Sequence, residues 1–402
     1  MASALLFALP CGAVDERLQA RTESWRQDLR FFATQLREHH RNPFHLVTEQ
    51  QFEAAVTALD TKIPQLQDYG VVVGLESLAA LVGDGHTFVV TSGSQHRFPL
   101  KLYWFANELR VVAASRDYAR AVGTRVGRID GMKIADVMRR IQQVVPQGET
   151  QWYVLNQSAE KITRAEVLAS LGAISNVSHC IFTFEGGGSG EFTLDIASVA
   201  ADEKIDWTSP TDRLPLYRQH ERESFWFTEI AGSHTVYVGF RKYDELEQHA
   251  RELFAFLDRR MPKCLIVDMR DNGGGNYAHG REYLLYGIQA RRSLNRRGSL
   301  YVITGRGTFS AGMTNAIDFR RETEALLVGE PPGARPNGYQ ENYWFTLPRS
   351  QLRVSVATNY YRFSDTDSPV VEPDQRFDPS WADYKAGRDA ATAWVLQRKE
   401  CL

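Results

Sequence analysis

A chain of 402 residues is too long for one small core, so two or three domains are expected. Charged residues make up 24%, hydrophobic residues 43%, and the formal net charge is −2. That balance gives no electrostatic case for nucleic acid as a partner, and no apolar run reaches transmembrane length, which excludes an integral membrane segment. The four cysteines, Cys11, Cys180, Cys264 and Cys401, have neither metal-site spacing nor the density of a disulfide framework, so no structural zinc is expected.

Residues 1–14 open apolar and small, and Cys11-Gly12-Ala13 forms a small-x-small pattern before Asp15 and Glu16. This reads as a short signal peptide lacking the basic n-region, with a frayed N-terminus as the plainer alternative. It gives an expectation of export, periplasmic or secreted, against a cytoplasmic protein. Residues 15–96 read as a helical domain. Trp25, Leu29, Phe32 and Leu36 recur at helical spacing, and Phe52, Val56, Leu59 and Ile63 repeat the pattern. A third helix, Gly70 to Val82, stops at Gly83-Asp84-Gly85. His86 follows at the turn, before a strand at Thr87 to Thr91.

Residues 97–200 read as a small β-rich module. Phe98 to Trp104, Leu109 to Ala113, Cys180 to Phe184 and Phe192 to Ile196 are strand-like, and Ile134 to Val144 and Thr163 to Leu171 are helical. Gly186 to Gly190 joins the last two strands as a hairpin loop with no phosphate-site context. Residues 201–224 are polar and read as a linker. Residues 220–402 read as an α/β core: strands at Ser224 to Glu229 and Thr235 to Phe240, then a helix, Leu246 to Arg260.

Two strand-to-loop units follow. Cys264 to Asp268 and Leu300 to Thr304 are short apolar runs of the kind buried in a parallel sheet. Each breaks into a Gly-rich loop, and ligands bind past the carboxyl ends of such strands. The second loop ends at Ser310, at the start of a helix, where unpaired N–H groups and the helix dipole favour a developing negative charge. A Ser hydroxyl with converging N–H groups from Gly274 or Gly275 and Ala311 is the minimum for acyl transfer through an oxyanion hole. Taken alone, Gly273-Gly274-Gly275 is a turn, Ser310 an N-cap, and His86 a cap for helix-end carbonyls. Gly-Gly-Gly-Asn is neither a P-loop nor a dinucleotide fingerprint, and Thr308 breaks the Gly-x-Ser-x-Gly elbow.

The run Asp268-Met269-Arg270-Asp271-Asn272-Gly273-Gly274-Gly275 with Thr308-Phe309-Ser310-Ala311 resembles the core of the tail-specific, C-terminal-processing serine peptidase family. The likeness extends to Asp84-Gly85-His86-Thr87, Val328-Gly329-Glu330-Pro331, Arg335-Pro336-Asn337 and Glu372-Pro373-Asp374. It implies a multi-domain α/β protein with a helical N-terminal part, a PDZ-like module at 97–200 and a ClpP/crotonase-like core. It also implies a serine endopeptidase acting on peptides or unfolded proteins without a cofactor or metal. The Lys that serves as base in part of the family is matched by Arg335, and Arg cannot be a general base. The tricorn-like branch of the family uses an upstream His, which places His86 as base with Ser310 as nucleophile.

Asp367 aligns best as the acidic partner of that His, with Glu372 second and a loop turn as the plain reading of Asp367. Arg335 is then free to bind a substrate carboxylate. Gly85 stands where the branch has a Ser, and Met313 where it has an acidic residue. The rival reading is an inactive peptide- or ligand-binding protein on the same fold, like the repeats of interphotoreceptor retinoid-binding protein. A third, an esterase of another acyl substrate, shares the chemistry.

Overall fold

The computed structural model describes residues 11–91, 95–186 and 190–401. The expected signal peptide lies outside the described residues up to residue 10, as do residues 187–189 of the Gly-rich hairpin loop. The chain is mixed α/β, with four β-sheets in the described residues.

The N-terminal layer is helical: α1 (Cys11–His39), α2 (Glu49–Lys62) and α3 (Asp68–Val82). The stripe Leu29, Phe32 and Leu36 is buried, and Trp25 packs at its edge while donating to Asp68. Thr48 caps α2 in a reciprocal capping box with Gln51. Gly83 ends α3 at φ 106°, a left-handed conformation that favours glycine. The chain then turns into the short strand β1 (Phe88–Val89).

The module carries β2 (Leu100–Phe105), β3 (Glu108–Ser115), β4 (Arg125–Ile129), α4 (Ile134–Ile141), α5 (Gln151–Lys161), α6 (Ala165–Ser170), β5 (His179–Glu185) and β6 (Glu191–Ala197). The strands pair antiparallel in the order β2-β3-β4-β5-β6 around a core that includes Phe98, Val111, Ile129 and Phe182.

The central sheet runs β7 (Phe225–Glu229), β8 (Thr235–Phe240), β9 (Cys264–Asp268), β10 (Leu300–Thr304), β11 (Leu326–Gly329) and finally a C-terminal strand at Gln375–Arg376. Only β7 is antiparallel to its neighbour. Alternation splits its side chains between two cores. Val238, Leu265, Val267 and Val302 face α7 (Leu246–Arg260) and α8 (Ala311–Glu322), while Ile266, Tyr301 and Ile303 face Val395 and the C-terminus. On that second face Cys264 is bonded to Cys401, with Cα atoms 5.2 Å apart, closing 137 residues of sequence.

After β11 the chain leaves this sheet. β12 (Asn337–Thr346) and β13 (Arg353–Arg362) form a long hairpin, and β1 joins β13 as a third strand. Phe345, Val354 and Val356 bury themselves against α1 to α3, in the same core as Phe32 and Leu75. A C-terminal segment thus packs with the N-terminal helices and brings the turn carrying His86 over the core sheet.

Candidate active site

The loops after β9 and β10 are locked together around one buried residue. Asn272 donates through Nδ2 to the carbonyl of Phe240 (3.1 Å), its Oδ1 accepts the N–H of Gly274 (3.0 Å), and its own carbonyl accepts the N–H of Phe309 (2.9 Å). Thr308 adds a bond from its hydroxyl to the carbonyl of Met269 (2.7 Å). Gly312 is required beside this clamp, since a Cβ there would lie 2.5 Å from the Asn272 carbonyl oxygen.

The clamp holds Ser310 at φ 50°, ψ −126°, outside the allowed regions for a residue with a side chain. Ser310 sits where an N-cap would, yet its hydroxyl caps nothing in α8. Its Oγ lies 2.8 Å from Nε2 of His86. The backbone of His86 is fixed on both sides: its N–H donates to Asp84 Oδ1 (3.0 Å), and its carbonyl accepts from the Ser355 hydroxyl (2.8 Å) on β13. Phe309 stacks on the imidazole at 4.9 Å. Nδ1 is buried near the carbonyl of Tyr339 without a well-formed hydrogen bond. Burial pushes the His86 imidazole down to about 4, against the opposing charge of Asp84. His86 is therefore uncharged at neutral pH.

The other expected residues fall differently. The N–H of Gly274 is taken by Asn272, which leaves Gly275 and Ala311 as the donors without a backbone or side-chain acceptor among the described residues. Gly274 packs its Cα face on Ser310, where a Cβ would meet the serine Cβ at 2.7 Å. Arg335 is outside the cleft that holds Ser310. Its Nη1 donates to the carbonyl of Gly148 (3.1 Å), and it lines a separate cavity behind the His86 turn with Asp84 and Glu149. Asp367 lines that same rear cavity, is exposed, and has no hydrogen-bond or ion-pair partner among the described residues. Glu372 is exposed, and its backbone carbonyl accepts from Arg320. Neither acid touches His86.

Three residues near the pair have no role in the sequence reading. His40, at the end of α1, accepts the N–H of Asn42 on Nδ1 (3.0 Å), so the hydrogen lies on Nε2 and is donated to Asp84 Oδ2 (2.9 Å). Asp84 is buried, but the bond from His40 and the charges of both histidines hold its carboxyl below the ordinary value. Glu149 accepts the N–H of Gly85 (3.0 Å) and of Arg335 (3.1 Å), and burial pushes its carboxyl up to about 7. The absence of a Ser at position 85 has a steric cause: a Cβ there would lie 2.5 Å from Phe309 Cζ and 3.0 Å from Tyr153. Among the described residues no three His, Cys, Asp or Glu converge as a metal site requires.

Ser310 and His86 open onto a cleft of about 640 Å³, bounded by α3, α5, β1 and the two Gly-rich loops. No helix of the described residues is long and apolar enough to cross a membrane.

No family model and no curated protein matches the sequence. Solved structures do. Mature CPAF superposes with a TM-score of 0.64 at 11% identity, covering 94% of this chain and 96% of CPAF. Its complex with lactacystin gives 0.63 over 94% and 97%. The photosystem II D1 C-terminal processing protease aligns over 92% of this chain and 98% of its own at 15% identity, with a TM-score of 0.43. The chain has the fold of mature CPAF along nearly its whole length.

Proposed function

We propose that the chain is a serine peptidase of the tail-specific type, acting on peptides or unfolded proteins. The 2.8 Å contact between Ser310 Oγ and the free-base Nε2 of His86 carries this reading. A binding protein needs neither a strained serine nor a buried neutral imidazole aimed at it. The motif resemblance and the CPAF-like fold support the same class.

In this reading Ser310 Oγ attacks the scissile carbonyl carbon while His86 Nε2 takes its proton. The N–H groups of Gly275 and Ala311 receive the oxyanion at the positive end of α8. His86 then gives the proton to the leaving amine, and in a second round draws one from the water that hydrolyses the acyl-enzyme. The imidazolium formed in between is favoured by the Asp84 and Glu341 charges and by the Tyr339 carbonyl. Asp84, rather than Asp367 or Glu372, is the acid that acts on His86.

A fluorophosphonate probe tests the reading. Labelling is expected at Ser310 and lost in His86→Ala. Unlabelled wild-type protein, with casein present as well as absent, favours the inactive binding protein. Lactacystin, which mature CPAF binds, is a second probe. Export remains part of the proposal. The bond between Cys264 and Cys401 supports it, because disulfides persist in oxidising compartments. Thiol titration of protein from the periplasm and the cytoplasm checks it.

A further inference from the structure

We infer that the substrate main chain binds as an added strand on the open edge of β1. This rests on the reading of Ser310 as the nucleophile and says how the peptide reaches it. β1 pairs with β13 on one side only, at the end of its three-stranded sheet. Val90 N–H bonds the carbonyl of Arg353, its register partner, at 2.8 Å. Antiparallel partners alternate between bonded and unbonded pairs, so Phe88 also faces β13, while the N–H and C=O of Val89 point to the other side. No strand and no hydrogen-bond acceptor or donor meets those two groups among the described residues. Val89 buries its side chain in the core with Val354 and Val356, which fixes the strand and leaves its main chain as an unpaired edge.

The cleft lies along this edge. Residues 85–91 line it in unbroken succession. Side chains of a strand alternate between two faces, so a cavity that meets every residue in turn runs along the main-chain edge. The same cleft is lined by Ser310 and His86. Val89 is three residues beyond His86, about 10 Å at strand spacing. A peptide paired with Val89 in extended form therefore presents a bond about three residues away to Ser310. Main-chain pairing is blind to sequence and requires an unfolded segment, which makes extended peptide, not a folded surface, the occupant.

The test uses fluorescein-labelled, reduced and carboxymethylated casein, and a synthetic casein peptide that the protein cleaves. Val89→Pro deletes the outward N–H without removing a bond to β13. It is expected to lower kcat/KM on casein at least about tenfold, the order expected for one or two lost backbone bonds, with the thermal midpoint moved by only a few degrees. N-methylation of the synthetic peptide is expected to lower its cleavage by wild-type protein at least about tenfold at one residue near the third from the scissile bond, with its neighbours tolerated. That series decides the matter if Val89→Pro does not fold. Casein cleavage by Val89→Pro at the wild-type rate, or tolerance of methylation at every position, overturns strand addition. If wild-type protein cuts no casein, its binding to Ser310→Ala is measured instead. Binding lost on adding Val89→Pro keeps the added strand and sinks the peptidase, and no binding sinks both.

Discussion

At the amino ends of β9 and β10, Cys264 is bonded covalently to Cys401 and the surroundings are apolar and closed. At their carboxyl ends the same two strands run into loops pinned by Asn272, a serine in strained backbone, N–H groups without acceptors and an imidazole stripped of its usual basicity. One end is apolar packing closed by a covalent bond. The other holds backbone N–H groups without acceptors among the described residues, beside the serine and the imidazole. Five-residue strands put about 15 Å between the two, enough for stability and reactivity to be altered separately.

The largest expected effect belongs to the reactive end. Ser310→Ala should lower peptide cleavage by at least about 10⁴-fold, as loss of a nucleophile does when nucleophile and base act as a unit. Stability should change by less than about 1 kcal/mol, since Oγ caps nothing. Urea unfolding beside a casein assay reads both, and a large stability loss with modest activity loss would make the hydroxyl structural. Asn272→Ala tests whether the separation is complete. It strands the Phe240 carbonyl and the Gly274 N–H, each a buried group costing about 1–3 kcal/mol. Both stability and fluorophosphonate labelling should fall, because at the reactive end the same buried bonds hold the loops together and place Ser310. Cys401→Ser should do the opposite of Ser310→Ala: about 2–5 kcal/mol of stability lost, with labelling of Ser310 within about twofold. A labelling rate that collapses with the disulfide would show that the ends are coupled.

Much of this contrast was legible before the fold was known. The strand-to-loop units, the helix Leu246–Arg260 and the stop at Gly83 follow from apolar period and glycine position, and the structure repeats them. The motif resemblance pairs Ser310 with His86, and the structure brings them to hydrogen-bond distance across 224 residues. Other features depend on distances that sequence spacing does not encode. Cys264 and Cys401 give no pattern along the chain because their approach depends on the C-terminus folding under the sheet. Asp367 aligns as the acid by its place before Glu372, but the chain after the β12–β13 hairpin carries it to the rear cavity. Arg335 turns to Gly148 because a buried carboxylate, Glu149, already anchors its backbone. The segments of α5 and β12 show no clean period: α5 is capped by Thr150 and packs through Trp152 and Tyr153, and β12 is largely exposed beyond Gln340.

The smallest effect is the most specific to the reactive end. His86 is depressed chiefly by burial, with Asp84 opposing, so its free base persists down to about pH 4. Labelling of Ser310 should be flat from neutrality down to about pH 5 and fall about tenfold per unit below pH 4. A limb near the ordinary histidine value, about 6.5, would mean an imidazole in water and a site not closed as described. Stability carries the same sign. A histidine whose folded value is lowered binds its proton more readily when unfolded, so its contribution is intact above about 6.5 and declines as pH falls toward 4. Glu149 runs the other way: its raised carboxyl contributes stability at low pH that is lost as pH rises through about 7. Asp84→Asn then sharpens the assignment. Removing the charge that favours the imidazolium should move the acid limb of labelling lower still, and replacing the oxygen that accepts from His40 Nε2 by an NH2 donor should loosen the turn and lower the plateau. An unmoved limb with a lowered plateau would leave Asp84 as a tether for the turn and place the charge that tunes His86 on Glu341.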